Sequence, residues 1–369
     1  MEKLEKNKMI EVVEESIKKI KNKDFNVFFY VLDTQGNPSG SLEYIYQTAL
    51  CLKNMGYNVV MLHNQKDFIG VTEWLGSKYN EIPHKNIETE NVEINPCDFL
   101  FIPEIFTDVM SQTKKLPCKR IAIVQNYNYL AEFMPISATF DNMRINDIIT
   151  TTNVQKEILE SYFPGINIQV VSPSINKIYR DSDKPRKLII NVVSKNQENI
   201  HRIMKPFYWK YPEYKWVSFR ELRGLDQETL SEALREAAIT IWIDENSNFG
   251  FVPLEAMRCG SLLLSKLPNT LSDWNISMTE DGKNDITDAC IWFESIDDVP
   301  DMLSTLIYNW TLDTIPEELF TNLHKLDNLY TPESQEKEIA YVYENEIFNR
   351  RMKDFEEVLV QLKNKKKEN

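Results

Sequence analysis

Cysteine is scarce in this 369-residue sequence: Cys51, Cys97, Cys118, Cys259 and Cys290 are odd in number and lack paired spacing. That speaks against a disulfide framework or a zinc site and fits a reducing interior. Histidine is rarer still, with His63, His84, His201 and His324 alone and no His-x-x-x-His pair, so a metal centre or a Ser-His-Asp site has little support. No apolar run reaches about 18 residues, so no spanning helix is expected. The stretch Met1 to Lys23 alternates charged and apolar residues at helical spacing and has no apolar core of signal-peptide length. Net positive charge is also missing: the formal charge of -14 argues against a broad basic nucleic-acid face. Internal repeats and low-complexity segments are absent. The expectation is a cytoplasmic protein.

What is present is ordinary globular material, 42% hydrophobic and 27% charged, long enough for about two domains. After the charged N-terminal helix, Phe25 to Leu32 (FNVFFYVL) has a buried-strand pattern. A turn-rich stretch, Asp33 to Gly40, leads into helical periodicity from Leu42 to Met55, and Asn58 to Leu62 is the next strand. Further strands are expected at 99–102, 120–124, 147–150 and 168–171, spaced for intervening helices. Ser172-Pro173-Ser174 and the polar run 179–186 read as a linker, and a second series of strands follows at 187–193, 215–219, 239–243, 262–264 and 289–293. From Pro332 to Lys366 the pattern is a long charged helix with a basic, solvated end. The organisation expected is an N-terminal helix (1–24), an α/β domain (25–178), a second α/β domain (187–330) and a C-terminal helix with a basic tail (331–369). The two α/β domains are Rossmann-like and expected to face a cleft.

The stretch NFGFVPLEAMRCG, residues 248–260, lies between two of these strands. It reads as a loop and a two-turn helix, with Pro253 at the first helical position and Gly260 as a left-handed stop. The free N–H groups of such a helix start, and a close approach at Gly250, suit an anion such as phosphate, with Glu255 beside it. Equally, Glu255 reads as a helix-capping residue and Gly250 as a turn glycine.

Phe249-Gly250, Glu255-Ala256-Met257 and Gly260 resemble the paired-glutamate motif of the retaining nucleotide-sugar glycosyltransferases of the GT-B fold. Gly40-Ser41-Leu42-Glu43 with Gly56-Tyr57-Asn58-Val59 is similar to that family's first-loop motifs, and residues 169–176 resemble the end of its first domain. The resemblance covers about residues 25–330. It implies transfer of a hexose or pentose from a nucleoside diphosphate sugar to an acceptor, with no essential metal or other cofactor. It places Glu255 on the ribose and the diphosphate at Val252-Pro253-Leu254. Gly40 and Ser41 would approach from the first domain; with Ser247, Phe249 and Gly250 they complete the donor side.

Two departures stand out. The first glutamate of the pair is replaced by Ser247, with Asp244 and Glu245 nearby but out of register. The family's Gly-Arg after the first strand of the second domain is absent; Lys195 is the best cation for the diphosphate, with Arg202 or Lys205 as a second contact. Glu104, Gln125 and Asn126 follow strands of the first domain, where open α/β sheets place ligands, and could face the acceptor. No residue stands out as a general base. Two rival readings stay open: a degenerate GT-B protein that binds a nucleotide sugar or a partner without turnover, and an enzyme glycosylating modified nucleic-acid bases.

Overall fold

A computed structural model of the chain describes residues 2–182, 184–278, 284–286, 290–316 and 329–367. His324 and residue 289, the first of the strand expected at 289–293, lie outside them. The chain divides into two compact units, Met1–Ser172 with Gln335–Asn369, and Pro173–Ser334.

The first unit opens with helix α1 (Glu2–Lys21) and strand β1 (Asn26–Tyr30), and continues through α2 (Gly40–Asn54), β2 (Asn58–His63), α3 (Thr72–Leu75) and β3 (His84–Asn86). Then come β4 (Phe99–Pro103), α4 (Thr107–Gln112), β5 (Lys119–Val124), α5 (Tyr127–Phe133), β6 (Asp147–Thr150), α6 (Asn153–Tyr162) and β7 (Asn167–Val170). The seven strands form one sheet in the order β3-β2-β1-β4-β5-β6-β7, every neighbouring pair parallel. Because β2 and β3 lie to one side of β1 and β4 to β7 to the other, strand order reverses between β1 and β4. The loops leaving those two strands therefore diverge and open a crevice at their carboxyl ends, where doubly wound sheets bind ligands.

In the second unit, β8 (Lys187–Ser194), α7 (Glu198–Lys210), β9 (Ser218–Glu221), α8 (Gln227–Glu236) and β10 (Ala237–Ile243) precede α9 (Phe251–Arg258) and β11 (Leu262–Lys266). A short antiparallel hairpin, β12 (Ile276–Met278) and β13 (Asn284–Ile286), is followed by β14 (Ile291–Phe293) and α10 (Val299–Thr311). The parallel sheet runs β14-β11-β10-β8-β9, so its order reverses between β8 and β10. Both expected α/β sheets are thus present. The strand expected at 215–219 begins three residues later, because Pro212–Tyr214 first make a 3₁₀ turn.

The C-terminal helix is α11 (Pro332–Tyr341), a π-helical segment Val342–Phe348, and α12 (Asn349–Lys367). It is not merely a solvated tail. Phe348 packs among Phe25, Tyr57 and Phe99 with ring centroids 4.6–5.1 Å away, and Glu344 bonds Tyr57 and Lys23 at 2.7 and 2.8 Å. Lys363 of the basic end bonds Glu14 of α1 at 2.6 Å. Buried aromatic area of this kind carries far more stabilisation than the exposed ion pairs beside it. No helix among the described residues is long and apolar enough to cross a membrane.

Candidate functional site

The reversal point of the second sheet is built by register. Ile243 pairs with Ser194 at the ends of β10 and β8, so the next residues, Asp244 and Lys195, leave the sheet side by side. Their side chains meet at 2.8 Å, with Asp244 largely covered and Lys195 67% exposed. The loop from Asp244 to Gly250 then crosses the carboxyl edge and delivers α9. Asn246 N–H donates to Asp244 Oδ1 at 3.2 Å, an Asx turn that fixes the loop's start. Glu245 is turned the other way: its carbonyl accepts from Asn269 N–H at 2.8 Å and its carboxylate stands 3.8 Å from Lys266. Ser247 is half-buried in the middle of this loop.

Helix α9 has the expected two turns but starts earlier than the sequence suggests. Gly250, with φ 79° and ψ 77°, is its N-cap, and Pro253 occupies the third helical position. A β-carbon at Gly250 would lie 3.4 Å from Pro253 and Trp242 and 3.5 Å from Trp274. The glycine thus meets two local demands, a left-handed conformation and close aromatic packing, rather than clearing open space for a ligand. The carbonyl of Phe249 accepts from the Trp274 indole N–H and from Ser272 Oγ, while the Phe249 ring is buried beside Phe251 and Tyr330. Gly260, φ 75°, ends the helix as expected, with the Ser261 and Gly260 N–H groups returning to Ala256 and Met257 carbonyls at 3.0 and 2.8 Å.

These boundaries decide what each residue offers. Leu254 is buried in the core with Trp242, Met257 and Leu263, so only its main chain faces the helix start; Val252 is half-buried. Glu255 is 4% exposed and close enough to Cys259, one turn on, to help burial raise that thiol to about 12. Arg202 and Lys205 lie on the exposed side of α7 and bond to no described residue. The turn from Ser194 into α7 is fixed by Ser194 Oγ, which accepts from Asn196 N–H at 3.2 Å and Asn199 Nδ2 at 2.8 Å.

The first unit brings its own predicted residues together at the β1/β4 reversal. Ser39 caps α2, leaving Gly40 half-buried and Ser41 exposed in the first turn. Glu104 follows β4 and is 3% exposed; its carboxylate accepts from Asn126 N–H at 2.9 Å, at the end of neighbouring β5. Burial pushes its carboxyl up to about 7, against the backbone N–H groups of Glu104, Asn126 and Gln125, which favour the charged form. Gln125 Nε2 donates to the Ser41 carbonyl at 3.1 Å. Asn126 caps α5 by accepting from Asn128 N–H at 3.0 Å. Sequence reasoning missed Asp33, whose buried carboxylate accepts from Gln35 and Ile69 N–H groups at 2.8 and 3.0 Å and so shapes the loop after β1. An aspartate opening a turn straight after a strand was the available signal. Among the described residues no cluster of three His, Cys, Asp or Glu could hold a metal ion.

No family model matches the chain. It is 24% identical over 247 residues to the alpha-1,6-glucosyltransferase of Actinobacillus pleuropneumoniae serotype 7 (strain AP76), covering 65% of this chain and 72% of that protein. Its fold is similar to that of sucrose-phosphate synthase from Thermosynechococcus elongatus, with a TM-score of 0.61, 10% identity and coverage of 86% and 98% of the two chains. Anabaena HepE in complex with UDP-glucose is similar at a TM-score of 0.57, 10% identity and coverage of 86% and 98%. The solved structures share the architecture of two parallel α/β sheets, and the glucosyltransferase supplies the sequence likeness. The chain has the GT-B fold, and its likenesses in sequence and structure are to glycosyltransferases.

Proposed function

We propose that the chain transfers a hexose from a uridine diphosphate sugar to an acceptor hydroxyl, with retention at the anomeric carbon. The observation that carries this reading is the β8/β10 register. It sets Lys195, paired with Asp244 and 67% exposed, at the reversal point from which the loop to the start of α9 departs, and a cation and a helix N-terminus served by one loop suit a diphosphate. The alpha-1,6-glucosyltransferase likeness and the UDP-glucose bound to HepE point to the same donor class.

On this reading the diphosphate lies against the helix start at Val252-Pro253-Leu254, Lys195 offsets its charge, and Glu255 accepts from the ribose hydroxyls. As the bond from the anomeric carbon to the diphosphate oxygen breaks, negative charge accumulates on the leaving group; Lys195 and the helix start stabilise it where it forms. Ser247 meets the sugar. Gly40 and Ser41 complete the donor side, Glu104, Gln125 and Asn126 supply the acceptor side, and Arg202 or Lys205 a second, more distant charge.

Ser247, in place of a glutamate, favours one other reading: donor binding without turnover. Incubating the protein with UDP-glucose and following UDP release separates the two. Release above background, reduced in Glu255→Gln, supports transfer or its hydrolytic side reaction. Tight UDP-glucose binding with no release supports binding alone, and no binding of UDP or UDP-glucose overturns both.

A further inference from the structure

A second concave site lies in the first unit, in a cavity of about 550 Å³ at the carboxyl ends of β2 and β3. That size suits a small ligand, whose pockets run from roughly 300 to 1,000 Å³. His63 and Asn86 are paired last residues of the two strands, and the segments that follow, 64–71 and 87–90, form the walls. The walls are pinned. Asn86 Nδ2 donates to the Gln65 carbonyl at 2.9 Å, Asn86 N–H to Glu90 Oε1 at 2.9 Å, and Ile69 N–H to the Asp33 carboxylate at 3.0 Å. Tyr46 Oη and His84 Nε2, 2.8 Å apart, close the floor.

Phe68 is the main apolar feature of the lining. Its half-buried ring stacks on His63 at 4.2 Å and tilts against His84 at 5.2 Å. Around it stand polar groups of mixed kind: Lys66, Asn80, Glu90 and the hydroxyl of Thr72, which bonds Asn80 Oδ1 at 2.5 Å and leaves that amide's N–H₂ on the exposed rim. One lysine is opposed by one glutamate, and burial with the neighbouring His63 holds His84 neutral, down at about 4. An anion therefore finds no net cation here. An aromatic face beside an amide, a hydroxyl and a carboxylate suits a neutral polyhydroxylated ring, with C–H groups over the aromatic and hydroxyls paired at the rim.

We propose that this cavity binds one neutral sugar ring of the acceptor, at a distance from the reacting hydroxyl. The inference rests on the transfer reading above. The cavity lies on the same carboxyl edge as Ser41, Glu104 and Gln125, but β3 is three strands from β4, about 14 Å at roughly 4.8 Å per strand. A single ring cannot occupy both places. The acceptor is accordingly a glycan of at least two sugars, not a free monosaccharide.

The test is ligand-observed saturation-transfer NMR with the methyl glycosides of glucose, galactose, mannose and N-acetylglucosamine, and with methyl phosphate and uridine monophosphate as anionic controls. The expected result is millimolar binding of at least one glycoside, weakened at least fivefold in both Phe68→Ala and Asn80→Ala and unchanged in Glu255→Gln. Asn80 is exposed, so its variant keeps the test open if Phe68→Ala does not fold. Binding of no glycoside, binding indifferent to both substitutions, or a Phe68-dependent preference for the anions overturns the proposal. UDP binding is measured on the same samples: its absence beside Phe68-dependent glycoside binding sinks the donor reading and leaves the sugar cavity standing.

Discussion

Lys195 and Asp244 form an ion pair, 2.8 Å apart, across the line where the second sheet reverses its strand order. The pairing follows from the in-register ends of β8 and β10, and it means that the cation proposed for the diphosphate already has a carboxylate neighbour. An incoming diphosphate must compete with Asp244. Removing that competitor by Asp244→Asn is therefore expected to tighten UDP binding by up to about fivefold, as such a pair is worth roughly 0.2–1 kcal/mol. Lys195→Ala is expected to weaken UDP binding while leaving uridine binding unchanged, since only UDP carries the charge. Calorimetry with both ligands checks this; equal losses for UDP and uridine in Lys195→Ala show that Lys195 does not touch phosphate.

Glu255 gives a sharper expectation because it is buried. Glu255→Gln keeps the side chain's size and removes its charge, and a hydrogen bond to a charged group is worth roughly 1.5–3 kcal/mol. UDP affinity is expected to fall about 10- to 150-fold with the thermal melting curve little changed. Unchanged affinity in the calorimeter assigns Glu255 to the helix start alone.

The residues that could be read from the sequence are those whose roles are local. The runs of β1 and β10, almost entirely β-branched or aromatic and buried, announce themselves, and the two-turn length of α9 follows from Gly260. What could not be read depends on partners distant in the chain. The sequence names Asp244 but not the β8/β10 register that sets it against Lys195. Strand β3 is the three residues His84-Lys85-Asn86 on a sheet edge, too short and polar for any period to show. Phe348 and Tyr343 sit in a stretch whose charge suggests a solvated helix; the aromatic pocket that receives Phe348 is assembled from residues 25, 57 and 99. Gly250 shows the same limit from the other side. Its position in the motif was legible, whereas the two tryptophans behind it were not.

That packing makes Gly250→Ala a stability experiment. A side chain there must adopt φ near 79° and press on Pro253, Trp242 and Trp274, and left-handed strain alone costs about 1–3 kcal/mol. Urea unfolding is expected to show a loss of at least about 1 kcal/mol. An unchanged midpoint means the loop has another conformation within easy reach.

The carboxyl of Glu104 ties stability to pH. With a folded-state pKa of about 7 against an ordinary 4.5, the folded protein holds this proton more tightly than the unfolded chain. The contribution is fully present below about pH 4.5 and is lost as pH rises through about 7, with a ceiling of about 3 kcal/mol. Glu104→Gln cannot titrate at this position. The melting temperature of the wild type minus that of the variant is expected to fall between pH 4.5 and 7 and to level off above pH 8. A difference that stays flat shows that the N–H groups donated to Glu104 outweigh its burial and keep it ionised.

Ser247 decides whether the site handles a sugar. It stands half-buried in the loop between Asp244 and α9, whereas Glu245, the nearest replacement for the family's first glutamate, is engaged with Lys266 and Asn269 on the far side of that loop. If Ser247 meets the sugar, Ser247→Ala lowers transfer or hydrolysis of UDP-glucose and leaves the affinity for UDP nearly intact, because UDP lacks the group that Ser247 touches. Ser247→Glu, which restores the family pattern, shifts the preference among UDP-sugars, since a carboxylate only accepts hydrogen bonds where a hydroxyl both donates and accepts. The readout is the ratio of UDP-sugar to UDP affinity together with the rate of UDP release, compared across UDP-glucose, UDP-galactose and UDP-N-acetylglucosamine. A ratio unchanged in both variants, with only the melting temperature moved, assigns Ser247 to the loop and removes it from the sugar site.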